Sequence, residues 1–329
     1  MRLFLTALFL LATFSSAHAQ IGFWQSQGWQ TDFTQMSVDP SEIFSGGPPK
    51  DGIPPIDNPA FAPVSEATDL TDRDPVIGLE INGDARAYPL RILIWHEIVN
   101  DTVGGMPVAV TFCPLCNSAI VFDATLDGEV HSFGTTGKLR NSDLVMYDRP
   151  TESWWQQFTG RAIAGTYTDR KLTMLPSRLE GWADFKARHP DGKVLVPNNP
   201  AFRAYGRNPY VSYDIAARPF LFKGELPKDI PAMARVIVVR ESEAATDTPK
   251  LIVAMETVRI QGAFEKNGVT LTWQEGQASA LHTEAIAEGR DVGTITVRPT
   301  DGAASTPLTK DVTFAFVAHA FYPDIAIEQ

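Results

Sequence analysis

The chain has 329 residues and a formal net charge of −11, with 44% hydrophobic and 20% charged side chains. This composition is typical of a globular protein with a hydrophobic core, and the length suits one large domain or two ordinary ones. A surface this acidic repels phosphate backbones and no basic segment reverses that charge locally, so we expect no nucleic-acid partner.

The first 19 residues have the pattern of a secretory signal peptide. Arg2 supplies a positive charge, residues 3–14 form an apolar stretch, and Ala17-His18-Ala19 matches a small-x-small cleavage site. We expect cleavage after Ala19, which removes Arg2 and changes the formal net charge from −11 to −12. The predicted location is periplasmic or secreted. No membrane span is expected after cleavage, because a span needs about 20 apolar residues.

Residues 20–70 predict an extended arm that is rich in proline and glycine. Turn formers such as those of residues 45–49 interrupt regular structure throughout this stretch. We expect Trp24, Trp29 and Phe33 to anchor the arm on the rest of the protein. Residues 71–329 predict a β-rich domain, and the change of pattern near residue 232 leaves open a sub-domain from there.

Short apolar runs separated by turn residues predict strands through most of this domain. A hairpin opens it after Asp74, with a tight turn at Asn82-Gly83. No β-α-β alternation is present, so the sequence predicts an α+β fold, mainly antiparallel β with a few short helices. The further predicted strands are residues 108–112, 119–122, 130–133, 144–147, 235–240, 251–256, 269–273, 294–298 and 312–317.

Two helices are predicted between these strands. The clearer one begins at Ser177, where Glu180 three positions later completes a capping box, and it ends at His189. The weaker one covers residues 151–160, which include two adjacent tryptophans.

The two cysteines of the chain, Cys113 and Cys116, form a Cys-Pro-Leu-Cys sequence at the end of a predicted strand. Two thiols at this spacing can share a metal ion or form a reversible disulfide. A thioredoxin-like site is not favoured, because that motif begins a helix whereas residues 119–122 predict a strand. A c-type haem is not favoured either, because Asn117 stands where the axial histidine would follow.

A mononuclear metal takes three or four ligands, so further donors must come from elsewhere in the chain. His96 and Glu97 precede the strand that leads into the cysteines, and His131 lies on the next hairpin. We expect a copper or zinc ion bound by Cys113, Cys116, His96 or His131, with Glu97 as a catalytic carboxylate beside them. For both histidines an ordinary hydrogen bond is the alternative.

A second group of polar residues follows the cysteines. Glycines at positions 134 and 137 precede Lys138, and Tyr147, Asp148 and Arg149 come next. Glycine-framed loops bring backbone N–H groups near a ligand, so this group predicts binding of a small polar or anionic molecule. The alternative is that Asp148-Arg149-Pro150 forms an ordinary turn.

Four segments of the sequence carry a family pattern: residues 95–101, residues 111–119, residues 146–157, and Asn208-Pro-Tyr210. In these segments, over roughly residues 70–325, the chain resembles the family catalogued as domain of unknown function 3179 (DUF3179). The resemblance implies a protein that is exported or membrane-anchored, and it supplies no mechanism. His319 departs from the family pattern and is a weaker ligand candidate. The positions that match the family are His96, Glu97, Cys113, Cys116, Tyr147, Asp148 and Arg149.

Together these patterns predict an exported soluble protein with a metal or thiol-redox site centred on the cysteine pair. A metal- or thiol-dependent oxidoreductase is the enzyme class that such a site would suit. The alternative is a non-catalytic binding module for a small polar ligand or a periplasmic protein partner, in which the cysteines form a structural disulfide.

Overall fold

Antiparallel strands form most of the regular structure in the computed structural model, which describes residues 18–241, 248–300 and 308–329. The predicted signal peptide lies outside these residues except for His18 and Ala19. The α+β class predicted from the sequence, mainly antiparallel with short helices, is confirmed. The helices are α1 (residues 18–26), α2 (Leu90–Leu93), α3 (Trp182–Arg188), α4 (Met255–Gln261) and α5 (Ala315–Phe321).

The strands are numbered in chain order. They are β1 (Ile43–Ser45), β2 (Ala60–Pro63), β3 (Pro75–Ile81), β4 (Asp84–Pro89), β5 (Ile98–Val103), β6 (Met106–Cys113), β7 (Ser118–Asp123), β8 (Thr125–Leu126), β9 (Glu129–Val130), β10 (Phe133–Arg140), β11 (Asp143–Asp148), β12 (Trp154–Gln156), β13 (Arg161–Ala164), β14 (Met174–Leu175), β15 (Arg178–Gly181), β16 (Lys193–Val196), β17 (Arg235–Glu241), β18 (Leu251–Ala254), β19 (Ala263–Lys266), β20 (Val269–Gln274), β21 (Thr294–Pro299) and β22 (Leu308–Phe314).

Three sheets form the larger part of the described chain. Their strand orders are β1-β10-β11-β12-β13, β14-β7-β6-β5 and β15-β3-β4-β16-β2. Neighbouring strands are antiparallel except β4 and β16, which are parallel. Most neighbours are joined by short hairpins, as the alternating apolar runs of the sequence predict.

Two three-stranded sheets, β18-β17-β22 and β19-β20-β21, follow in the C-terminal part. Strand β17 divides its side chains between two hydrophobic cores. Val236 and Val238 contribute to the large core of the N-terminal sheets, whereas Ile237 and Val239 contribute to a smaller C-terminal one. Alternation of this kind is the period of two that every strand has. The two parts therefore share a strand, and a sub-domain boundary near residue 232 stays a prediction.

The arm of residues 20–70 contains most of α1 together with β1, which pairs with β10, and β2, which pairs with β16. Trp24, Trp29 and Phe33 are 2%, 4% and 6% exposed. Their ring centroids lie 4.8, 5.1 and 5.0 Å from the ring of Trp154 on β12. The three aromatic side chains therefore bury the arm against this strand.

Both helices predicted from the sequence are wrong: the first begins later than predicted, and the second contains a strand instead. Residues 178–181 form β15, which pairs with β3, and α3 begins only at Trp182 without a side-chain cap. Glu180 bonds to Arg188 instead of capping a helix. Residues 154–156 form β12, because pairing with both β11 and β13 outweighs the local preference for a helix.

Three predicted strands end or divide differently. Residues 251–256 and 312–317 each begin as a strand, but α4 starts at Met255 and α5 at Ala315. Residues 130–133 are split between β9 and β10, and His131 lies in the gap. The sequence does not mark the residue at which each strand ends and the helix begins, because the apolar run continues through both buried elements.

No helix in the described ranges has both the length and the apolar character needed to cross a membrane.

We predict that Trp24→Ala lowers the free energy of unfolding by about 3–5 kcal/mol, because it removes a buried indole that packs on Trp154. The adjacent Phe23, which is 57% exposed, provides the control, and Phe23→Ala should change the free energy of unfolding by less than about 0.5 kcal/mol. Urea unfolding of both variants measures the difference. Equal effects of the two substitutions would show that the arm does not belong to the folded core.

Candidate functional site

The cysteine pair occupies the turn that joins β6 to β7. Cys113 is the last residue of β6 and pairs with Ser118, the first residue of β7. Within the turn, the N–H of Cys116 donates to the carbonyl of Cys113 at 3.2 Å. Asn117 closes the turn with a φ of 53°, in the left-handed region that asparagine tolerates better than most residues. The turn holds both sulfur atoms at the end of the hairpin.

A second hairpin turn meets the first. Asn141 and Ser142 join β10 to β11 with φ values of 54° and 65°, and two consecutive positive φ values are the pattern of a type I′ turn. The carbonyl of Ser142 accepts hydrogen bonds from both thiols, at 3.4 Å from Cys116 Sγ and 3.9 Å from Cys113 Sγ. The next residue, Asp143, is thereby placed beside the sulfur atoms.

Cys113, Cys116 and Asp143 form a three-donor cluster. One donor atom of each lies within 4.8 Å of the others, and all three residues are buried. Asp143 Oδ2 accepts from the N–H of Phe158 at 2.9 Å and from Gln156 Nε2 at 2.6 Å. No donor lies within hydrogen-bond distance of Asp143 Oδ1 in the described part of the chain, and the nearby thiols of Cys113 and Cys116 oppose the rise in pKa that burial causes. A buried carboxyl oxygen without a donor is uncommon, and it is an atom that a cation can bind.

Burial disfavours negative charge in this cluster. It raises the pKa of Asp143 to about 6. It also raises the pKa of the Cys113 thiol, and that of the Cys116 thiol further still. Each additional ionisation would add charge to the same desolvated volume. Both sulfur atoms are therefore thiols at neutral pH, and only a bound cation would stabilise them as thiolates.

Glu97 brings a second buried carboxyl group to the same region. It has a φ of 59°, and its carbonyl accepts from the N–H of Phe112, the residue before Cys113, at 2.8 Å. Burial, together with the negative charge of Asp143, raises the pKa of Glu97 to about 8. Glu97 therefore carries a proton at neutral pH, which is the state of a general acid.

Two tyrosines complete the surroundings of the cluster. The hydroxyl of Tyr213 donates to the carbonyl of Leu115, between the two cysteines, at 3.0 Å. Burial raises the pKa of Tyr210, and Glu97 and Cys113 raise it further at a pH where they are ionised. Burial also raises the pKa of Tyr213, so both side chains are neutral at neutral pH.

Strand β22 fixes the backbone of the cysteine turn from the C-terminal end of the chain. Thr313 Oγ1 donates to the carbonyl of Cys116 at 2.7 Å. Asn117 Nδ2 donates to the carbonyl of Val312, a residue 195 positions later, at 2.8 Å. The carboxyl group of Asp311 accepts from Ser118 Oγ at 2.6 Å and from the N–H of Ala119 at 3.0 Å. The cysteine turn is thus bonded to Ser142 through its thiols and to β22 through its backbone and Asn117.

A family model described as "Protein of unknown function (DUF3179)" matches residues 50–325. The chain belongs to the DUF3179 family. The match confirms the resemblance drawn from the sequence motifs and extends it from residue 70 back to residue 50. No curated protein and no solved structure matches the chain.

In this DUF3179 chain, His96 lies outside the three-donor cluster. Its Nδ1 is 2.7 Å from the carbonyl of Pro54, and its Nε2 is 2.7 Å from the hydroxyl of Tyr205. A carbonyl only accepts, so Nδ1 carries the proton and Nε2 accepts from the tyrosine. Burial lowers the pKa of His96, which keeps this ring neutral. Both nitrogens have partners, as the ordinary hydrogen-bonding alternative expects.

His131 is also outside the cluster. Its ring is buried, contacts Tyr167 edge-on at 5.4 Å, and has Nδ1 3.5 Å from Asp148 Oδ1. Neither ring nitrogen has a hydrogen-bond partner among the described residues. The structure therefore places both histidines predicted as ligands apart from the sulfur atoms, and it brings Asp143 there instead. The signal for Asp143 in the sequence is the Asn-Ser turn that precedes it.

The four residues predicted to bind a ligand lie on β10, at the end of β11 and directly after β11, and each has a partner within the chain. His319 lies half-buried on α5. None of these five residues belongs to the three-donor cluster. The partners are Gln27 for Lys138 at 2.9 Å, Asp51 for Tyr147 at 2.5 Å, Trp155 for Asp148 at 2.9 Å, and Asp57 for Arg149 at 2.7 Å.

We predict that stability of the metal-free DUF3179 chain falls with rising pH because of Glu97. Its pKa is raised in the folded state, from an ordinary 4.5 to about 8, so the folded state binds the proton more tightly than the unfolded state. The resulting stabilisation is complete below about pH 4.5 and is lost as the pH rises through about 8. Glu97→Gln should remove a dependence of a few kcal/mol, since one pKa unit corresponds to about 1.4 kcal/mol.

Urea unfolding at several pH values between about 5 and 8 measures this difference, with Glu275→Gln at an exposed position as the control. If the free energies of unfolding of Glu97→Gln and the unsubstituted protein run parallel across this range, Glu97 is not held in its protonated form.

Proposed function

We propose that this DUF3179 chain is an exported protein that binds a zinc or copper ion between Cys113, Cys116 and Asp143. The observation that carries the proposal is the convergence of two thiols and a carboxyl group within 4.8 Å. The unpartnered Oδ1 of Asp143 supports it, because a cation would supply the missing interaction. The signal-like pattern of residues 1–19 supports export.

The chemistry of the donors favours these two metals. Thiolates select zinc and copper(I) over the harder magnesium and calcium ions, and a carboxylate oxygen is an ordinary third ligand for zinc. Three protein ligands leave a fourth position for water or a substrate, as in catalytic zinc sites. Glu97, which holds a proton at neutral pH, lies beside that set and suits proton transfer to a bound molecule. A small molecule is the partner that such a site would take.

A thiol-redox pair is the second candidate, because both cysteines are free and lie in one turn. Oxidation would join the two sulfur atoms and release two protons and two electrons to an acceptor. The raised pKa values of both thiols oppose this role, since the thiolate is the reactive form. The metal site therefore accounts for more of the observed geometry, including Asp143. The binding-module alternative, with a structural disulfide, requires the oxidised form.

We predict that the protein purified from the periplasm holds close to one zinc or copper ion per chain. Asp143→Asn, and separately the double variant Cys113→Ser and Cys116→Ser, should weaken binding at least about tenfold, because even outer-shell partners cost about 10–100-fold. Elemental analysis and competition with a chelator of known affinity measure the effect. The exposed Asp229→Asn serves as the matched control.

The metal proposal fails if the unsubstituted protein binds neither zinc nor copper(I) after loading. It fails equally if Asp143→Asn and Asp229→Asn hold the same amount of metal.

We predict that the two thiols of the metal-free native protein react slowly with a thiol-directed reagent. Cys113 is 2% exposed and Cys116 is 0% exposed, and burial disfavours the thiolate of each. In denaturant without reductant, both thiols should react at once. Two reactive thiols per unfolded chain are the expected result, whereas none would identify a disulfide and support the binding-module alternative.

A further inference from the structure

A pocket with a basic lining lies between the N-terminal sheets and the C-terminal ones, apart from the cysteine turn. It has a volume of about 550 Å³, within the range of small-molecule sites. Strands β3, β15, β21 and β22 and the end of α3 contribute to its wall. The charged or titratable side chains of the lining are Glu80, Arg178, Arg188, His189 and Lys310.

Lys310 is the most unusual of these residues. It lies on β22, is only 9% exposed, and lines the pocket. In the described part of the chain its ammonium group forms no hydrogen bond and no ion pair. Burial lowers the pKa of Lys310 to about 8, although the carboxyl group of Glu180 opposes this shift. The carboxyl groups of Glu180 and Asp311 attract this ammonium without a direct ion pair to it, so a positively charged Lys310 can still take an anion in the pocket that it lines.

The neighbouring charges leave the pocket positive. Arg188 forms a two-fold contact with the buried carboxyl group of Glu180, with one N–O distance of 2.7 Å. Arg178 has no ion-pair partner among the described residues. Glu80 is 54% exposed in its side chain and lies 3.9 Å from His189 Nε2. Glu80 and Glu180 therefore offset part of the charge, and Glu180 attracts Arg178 and Lys310 without a direct ion pair to either.

We propose that this pocket binds a tetrahedral oxyanion, phosphate or sulfate, either free or as a group on a small molecule. Lys310 would donate from the inner wall, and Arg178 would donate from the more exposed side with the planar fork that suits such oxygens. Thr296 also lines the pocket, and its hydroxyl group bonds to that of Thr272. The proposal does not depend on the cysteine site.

Titration calorimetry with inorganic phosphate and with sulfate, at constant ionic strength set by sodium chloride, tests the proposal. We expect saturable binding by the unsubstituted protein. Lys310→Met should weaken it at least about tenfold, because it removes a charge-assisted donor and keeps an apolar stem of similar volume. Lys266→Met, at a surface lysine paired with Glu328, should bind as tightly as the unsubstituted protein.

Arg178→Gln provides a second variant at an exposed position, so the test does not rest on the folding of Lys310→Met. It should also weaken binding, whereas the control Lys266→Met should leave it unchanged. Absence of saturable binding by the unsubstituted protein would overturn the proposal. So would an affinity of both pocket variants equal to that of the unsubstituted protein. Tighter binding of malonate than of phosphate and sulfate would overturn the preference for a tetrahedral anion.

Discussion

The candidate site depends on one constraint, which is that its acidic groups share a volume with little access to water. Cys113, Cys116, Asp143 and Glu97 all have raised pKa values for this reason. Such a volume disfavours each further negative charge and favours protons or a bound cation. Uptake of a metal ion would therefore be coupled to release of protons, and affinity would rise with pH. Oδ1 of Asp143, which has no hydrogen-bond partner among the described residues, is the atom at which a cation would replace the missing interaction.

The surrounding structure holds the sulfur and carboxyl groups together, although their burial disfavours their charged forms. Two hairpin turns meet end to end, and positive φ values at Asn117, Asn141 and Ser142 give them their tight geometry. The carbonyl of Ser142 faces both sulfur atoms. Strand β22 bonds the outer side of the cysteine turn through Asp311 and its neighbours. The donors come from separate parts of the chain, and packing of the sheets determines their distances.

Local patterns in the sequence predicted what depends on local structure. Alternating apolar runs predicted the β-rich class, the Cys-x-x-Cys spacing predicted the role of the cysteine pair, and Glu97 was chosen from its place before the strand that leads into the cysteines. Asp143 was not among the predicted ligands, because the meeting of two turns follows from the packing of whole hairpins. The same limit applies to His96, whose ring bonds to Tyr205, 109 positions later. The predicted helix at residues 151–160 failed because Trp154 and Trp155 lie between two partner strands, where pairing outweighs local preference.

The long-range bonds from β22 to the cysteine turn have a consequence for any attempt to isolate the site. A synthetic peptide of residues 106–123 would carry both sulfur atoms and could form a hairpin. It would lack the aspartate, the Ser142 carbonyl and the bonds from Thr313 and Asp311 that fix the turn. Such a peptide would behave as a flexible dithiol chelator. Any metal selectivity of the proposed site would thus be a property of the whole polypeptide, and it would not be transferred to another scaffold by grafting this short loop.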